Sequence, residues 1–226
     1  MDISLNYYET GWGEPLILLH GNGEDMTYFR NQVDCFAEHF RVIAIDSRGH
    51  GRTPRGEAPF TIRQFAEDLH DFMNAHKIES AHILGFSDGG NVAMCFALKY
   101  PERVKKLILN GANLYPAGVK AAFQIPTTLE YYYLKLFGNK SPELQYKTEL
   151  LRLMVRDPYI SPLKLKRLLM PTLVIAGERD LIRESHTKLI HRMIPNSKLA
   201  IIPGDHGVAT LNPKAFNSKV LDFLLN

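Results

Sequence analysis

The chain has 226 residues, 45% of them hydrophobic and 23% charged, with a net charge of +3. That is the size and balance of one soluble domain able to bury roughly 70–75% of its unfolded surface. The charge is too small and too scattered for a nucleic-acid partner, and the clusters Lys105-Lys106 and Lys164-Lys166-Arg167 read as solvated faces.

In chain order, residues 3–9 read as an antiparallel edge strand. Short apolar runs then recur at 16–19, 42–45, 81–84, 107–109, 173–176 and 199–202, and each reads as a buried strand. Helical patterns fall between them near 26–38, 61–76, 88–99, 183–193 and 213–225, with Thr61 as a start signal and Pro101 as a stop. Continuous apolar strands alternating with helices predict a parallel sheet covered on both faces. Residues 112–169 break the rhythm: they hold no strand-like run and many aromatics, Tyr115, Phe123, Tyr131, Tyr132, Tyr133 and Phe137 among them. They are expected to form a short, mostly helical insertion over the sheet's C-terminal edge. Three successive tyrosines cannot share one helix face, so at least one must line a cavity or meet solvent. Cys35 and Cys95, in helix-like apolar patterns, read as buried reduced thiols. The first residues carry no leader-like apolar run, and no stretch nears the roughly 20 apolar residues a membrane span needs. A cytoplasmic protein without a membrane partner is expected.

In open parallel sheets, ligands bind beyond the carboxyl ends of the strands. The loops expected there are 20–23, 46–53, 85–90, 110–113, 177–180 and 204–207. In Gly85-Phe86-Ser87-Asp88-Gly89-Gly90, a serine stands between glycines at both second neighbours, on a strand-to-helix junction. This is the pattern of a nucleophile elbow, where the chain reverses within one residue and side chains at 85 or 89 would collide. A serine hydroxyl needs an imidazole within reach, and the imidazole needs a third group to orient it. His206 occupies the last strand-end loop and Asp180 the one before, so Ser87, Asp180 and His206 form the candidate triad.

Other histidines fit less well. His70, His76, His186 and His191 lie on predicted helices, where surface roles are expected, and His39 lies near a helix end. His82 belongs to a buried strand, and His20 is expected to brace its own glycine loop. His50 is the leading competitor as base, and Glu178 as acid; Asp205 would have to bend back sharply to reach its neighbour's ring. The backbone N–H of Asp88 comes with the elbow, and that of Asn22 is expected to join it in stabilising an oxyanion, each worth about 3–4 kcal/mol. A phosphate-binding reading of His20-Gly21-Asn22-Gly23 would need a lysine partner or longer glycine spacing.

Taken together, these residues resemble the α/β-hydrolase fold superfamily. The resemblance covers essentially the whole chain outside 112–169, through His20-Gly21-Asn22-Gly23, Asp46-x-Arg48-Gly49-x-Gly51, the Ser87 elbow, Pro101-Glu102-Arg103-Val104, Gly177-Glu178-Arg179-Asp180 and Gly204-Asp205-His206. It implies an α/β-hydrolase fold in one domain over 1–226: a mostly parallel central sheet, helices on both faces and a short helical lid at 112–169. It also implies Ser87 as nucleophile, His206 as base, Asp180 as acid, and Asn22 with Asp88 as oxyanion donors. Ser87-Asp88-Gly89-Gly90, followed by Asn110-Gly111-Ala112-Asn113, is most similar to the biphenyl-hydrolase-like esterase branch. The N-terminal strand region and the insertion are short for the superfamily. Haloalkane dehalogenases and epoxide hydrolases carry an aspartate where Ser87 stands and are excluded; carbon–carbon bond hydrolases, enol-lactonases and perhydrolases keep the serine and stay open.

The expected activity is therefore hydrolysis of a small carboxylic ester through an acyl-enzyme, without a metal or organic cofactor. Phe86, Asp88 and Tyr131 are the expected substrate contacts. Asp88 has two readings, a carboxylate stabilised by its helix N-terminus or one that attracts a substrate ammonium group, as in amino-acyl esters. The rivals are a carbon–carbon bond hydrolase or lactonase, and a non-catalytic ligand-binding protein, against which the complete triad argues.

Overall fold

The computed structural model describes residues 2–138 and 141–226. Strand β1 (Tyr7–Thr10) pairs antiparallel with β3 (Arg41–Ile45), while β2 (Pro15–Leu19) runs parallel between β3 and β4 (Ala81–Phe86). Three further parallel strands, β5 (Val104–Asn110), β6 (Thr172–Gly177) and β7 (Ser197–Ile202), complete the order β1-β3-β2-β4-β5-β6-β7. The helices are α1 (Arg30–Ala37), α2 (Ile62–Ala75), α3 (Asp88–Lys99), α4 (Ala121–Phe137), α5 (Pro142–Arg156), α6 (Glu184–Met193), the short α7 (Val208–Leu211) and α8 (Pro213–Leu225). The expected start of α2 is made by Thr61, whose Oγ1 accepts the Gln64 N–H at 3.1 Å. None of the helices is long and apolar enough to cross a membrane among the described residues.

Alternation along the strands divides the core. Leu16, Leu18, Val42, Ala44, Ile108 and Ile175 pack on one face with Phe36 of α1 and Phe216 of α8. Ile17, Leu19, Ile43, Ile83, Leu109 and Val174 pack on the other with Leu69 of α2 and Phe96 of α3. Residues 199–202 read as a buried strand, yet β7 is the outer edge of the sheet and only Ile202 in it is buried. An edge strand has a neighbour on one side only, so its pleat stays half open.

Register sets all the parallel strands to end together: Leu19 pairs with Ile45 and Gly85, Phe86 with Asn110, and Gly177 with Ile202. The loops that follow therefore emerge along one edge. The insertion contributes α4 and α5, which pack against each other between β5 and β6. Tyr131 corrects the expectation of a substrate contact. It is the one buried residue of α4, packed with Leu151 and Val155 of α5, whereas Tyr132 and Tyr133 are exposed. The α4–α5 seam thus takes the ring that the sequence assigned to the ligand.

Candidate active site

Ser87 sits at the turn from β4 into α3 with φ 52° and ψ −118°, a conformation costly for a side-chain-bearing residue. A Cβ at position 85 would strike the Gly89 carbonyl, and one at 89 would strike the Leu19 carbonyl, so neither tolerates a side chain. The Ser87 N–H donates to the Asn110 carbonyl at 2.8 Å, which fixes the elbow to β5.

His206 and Asp180 reach this serine from the next two loops. His206 Nε2 lies 3.0 Å from Ser87 Oγ, and Nδ1 lies 2.7 Å from Asp180 Oδ1. With Nδ1–H donating to the carboxylate, the Nε2 lone pair faces the serine hydroxyl. Asp180 is buried, and its Oδ1 also accepts the Ile182 N–H at 2.8 Å. The imidazole leans on Phe86, ring centroids 4.8 Å apart, and Phe86 stacks in turn on Tyr28 at 4.2 Å. Phe86 thus supports the histidine as well as lining the cavity.

The rival groups lie elsewhere. His50 is buried against Phe60, with Nδ1 donating to the Arg48 carbonyl at 2.9 Å. Glu178 is exposed, and Asp205 Oδ1 accepts the Gly207 N–H. His20 braces two loops: Nδ1 donates to the Gly21 carbonyl at 2.7 Å, and Nε2 accepts the Ser47 N–H at 3.0 Å. Burial lowers its pKa to about 4, so it stays neutral. His186, expected on the surface, is instead buried. Its Nε2 accepts the Leu114 N–H at 3.0 Å because α6 turns this face toward the start of the insertion.

A cavity of about 270 Å³ opens at the serine, bounded by Asn22, Phe86, Asp88, Val119, Ile182 and His206, with Phe123, Gln124 and Thr127 of α4 and Met154 of α5 closing it. Sequence reading missed two of its carboxylates, Glu24 and Asp157, whose pKa values burial raises. Glu24 stands directly after the glycine loop and could have been suspected; Asp157 follows α5 and gives no local signal. Among the described residues, no lysine or arginine lines this cavity. The Asp88 carboxylate accepts the Asn22 side-chain amide at 2.9 Å and the Asn91 amide at 3.0 Å, and desolvation pushes its pKa up to about 6. Asn91 is held by Asn113, whose N–H donates to Asn91 Oδ1 at 2.9 Å. The backbone N–H groups of Asn22 and Asp88 have no acceptor among the described residues. Such an arrangement can take a proton from a serine and hold an anion beside it.

Comparison with known proteins agrees with the architecture. A family model described as alpha/beta hydrolase fold matches residues 14–141. The human serine hydrolase BPHL is 30% identical, over 98% of this chain and 83% of that protein. A meta-cleavage product hydrolase from Pseudomonas fluorescens superposes with a TM-score of 0.81 at 25% identity, covering 98% of this chain and 94% of the other. An enol-lactonase from Burkholderia xenovorans superposes with a TM-score of 0.83 at 20% identity, covering 99% and 97%, a likeness of fold.

Proposed function

The chain belongs to the α/β-hydrolase family, and from that premise we propose that it is a serine hydrolase cleaving small carboxylic esters through an acyl-enzyme. The observation that carries this reading is the hydrogen-bonded line from Ser87 Oγ to His206 Nε2 at 3.0 Å and from His206 Nδ1 to Asp180 at 2.7 Å, in the wall of a cavity.

In this mechanism, His206 Nε2 takes the hydroxyl proton as Ser87 Oγ bonds to the acyl carbon. Asp180 holds the ring's tautomer and stabilises the imidazolium. The N–H groups of Asn22 and Asp88 receive the oxyanion. His206 then gives its proton to the departing alkoxide, and a water activated by the same nitrogen releases the acid. A cavity of about 270 Å³ suits a compact substrate.

The finer reading concerns charge. Asp157 is paired with Arg152 at 3.7 Å, but Glu24 and Asp88 face the cavity without a lysine or arginine among its described lining residues, which favours a substrate carrying an ammonium group, such as an amino-acyl ester. The reading also carries a cytoplasmic location, for which Cys35 and Cys95, both free thiols, are the support.

The test is fluorophosphonate labelling together with hydrolysis of p-nitrophenyl acetate, p-nitrophenyl butyrate and a lactone. Labelling of the wild type, its loss in Ser87→Ala, and faster turnover of the esters are expected. An unlabelled wild type would return the chain to ligand binding, and a preference for the lactone would move it among the lactonases.

A further inference from the structure

A second cavity, about 530 Å³, opens between α2, α3 and the 3-10 turn Pro162–Arg167, and it shares no lining residue with the cavity at Ser87. Its lining divides by chemistry. Ala66, Cys95, Leu98 and Ile160 supply apolar surface, and the Tyr159 ring stands exposed beside them. Burial pushes the Cys95 thiol up to about 12, so it is a neutral part of that surface.

The polar part is cationic. Arg63, Lys99, Lys164 and Arg167 line the cavity with a single acid, Glu67. Glu67 is already engaged, accepting from Lys99 Nζ at 2.6 Å and from the Tyr100 hydroxyl at 2.8 Å. Arg63, Lys164 and Arg167 have no ion-pair, hydrogen-bond or ring partner for their side chains among the described residues. Lys164 and Arg167 read as a solvated face in the sequence. The fold brings Arg63 to them from the start of α2, about a hundred residues earlier in the chain.

We propose that this cavity is a second ligand site, for a small organic phosphate with a planar or apolar body, and that its occupancy is transmitted to the Ser87 cavity. Two guanidinium groups match phosphate oxygens in fork geometry, and four cations gathered around the single acid Glu67, with Arg63 also drawn to the Asp157 carboxylate, are relieved by a bound anion. The apolar surface takes the body of the ligand, and the Tyr159 ring offers it a stacking face. Tyr159 has φ 46°, in the left-handed region that non-glycine residues enter rarely and that gathers at ligand sites.

Transmission follows from chain connectivity. Asp157 lines the Ser87 cavity, while Tyr159 and Ile160 line this one. The Ile160 N–H donates to the Leu114 carbonyl at 2.7 Å, one residue beyond Asn113 in the Ser87 cavity wall. A ligand that moves Tyr159 therefore shifts Asp157. This second half of the proposal rests on the serine-hydrolase reading; the binding site does not.

Isothermal titration calorimetry of the full chain with ADP, inorganic pyrophosphate and adenosine separates charge from body. ADP is expected to bind at least about tenfold more tightly than either fragment, to weaken as salt is raised, and to weaken by about tenfold or more in Arg63→Gln/Arg167→Gln. Both arginines are exposed, and an unchanged thermal melt establishes that the variant folds. No ADP binding at millimolar concentration, or equal binding by the folded double variant, overturns the site. With ADP bound, KM for p-nitrophenyl butyrate is expected to move in the wild type and not in the double variant. Unchanged kcat and KM in an active, ADP-saturated wild type overturn the transmission. A protein that binds ADP but hydrolyses no ester fails the hydrolase reading and leaves the binding site standing.

Discussion

The side-chain amide of Asn22 donates to Asp88 Oδ2 at 2.9 Å, joining the two residues whose backbone N–H groups are the candidate oxyanion donors. The same amide donates to the Leu150 carbonyl of α5 at 2.9 Å. The glycine loop, the elbow and α5 are thus tied by one side chain. Asn22→Ala removes both bonds and frees the loop. A fall in kcat of about 10–100-fold with little change in KM is expected on p-nitrophenyl acetate, because a donor that must be reorganised during reaction loses much of its value. A kcat within about twofold of wild type would mean that the loop is held by its glycine geometry and not by this bond.

Asp88→Asn tests the preference for cationic substrates. The amide keeps the shape of the side chain and removes its charge, so kcat/KM should fall about 10-fold or more for an amino-acyl ester and far less for a neutral ester of equal size. Equal losses on the two substrates would assign Asp88 to positioning Asn22 alone.

The same variant has a pH signature in stability. Asp88 ionises at about 6 in the folded chain against an ordinary 3.8, so the folded state holds the proton more tightly than the unfolded one. Stability from this group is present below the ordinary value and is lost as pH rises through the folded one. Asp88→Asn lacks that loss. Urea unfolding should therefore show the variant gaining on wild type by up to roughly 3 kcal/mol between about pH 4 and about pH 7, whatever constant offset its altered bonds to Asn22 and Asn91 impose. A difference that stays flat with pH would mean that the carboxylate is better solvated than its surroundings imply.

The parallel sheet could be read from the sequence because buried strands such as 42–45 and 173–176 are continuous apolar runs, which few other elements produce. That Ser87, Asp180 and His206 meet could be expected because each lies in the turn or loop that follows a strand, and the strand ends of a parallel sheet share an edge. Tyr131, Asp157 and His186 could not. Which tyrosine of α4 turns inward is decided by α5, and Asp157 reaches the cavity only through the path the chain takes after that helix. His186 read as a surface histidine because it lies on a predicted helix, with Glu184, Lys188 and Arg192 close by. Contacts between an insertion and the body of a domain leave no periodic trace.

His186 carries a measurable load for that reason. His186→Ala leaves the Leu114 N–H unpaired and a small void beside it, and should cost about 2–4 kcal/mol in urea unfolding at pH 8. The pKa of His186 is lowered to about 4 by burial, from an ordinary 6.5. The neutral ring's contribution is whole above the ordinary value and is lost as pH falls through the folded one. The gap between wild type and variant should narrow on acidification through that window. A gap unchanged at about pH 4 would mean that the ring tolerates its charge in place.

Gly111 decides where the imidazole of His206 can stand. Its φ is +59°, and a Cβ there would lie 2.8 Å from His206 Cε1 and 2.9 Å from Nδ1. The ring cannot simply retreat, because Phe86 lies against it and Nδ1 is tied to Asp180. Gly111→Ala must therefore displace the imidazole and lengthen the 3.0 Å approach to Ser87 Oγ. Misplacement of a base by about 1 Å costs on the order of 100-fold, so kcat and the fluorophosphonate labelling rate should fall together by about that factor. The backbone cost of a left-handed alanine is about 1–2 kcal/mol and would lower stability by itself. Gly13→Ala separates the two effects: its φ is also positive, at +93°, and the nearest atom to its Cβ is the His39 carbonyl oxygen at 3.5 Å. That variant should lose comparable stability and keep its activity. If Gly111→Ala labels as fast as Gly13→Ala, the ring is not held where the proton transfer requires it.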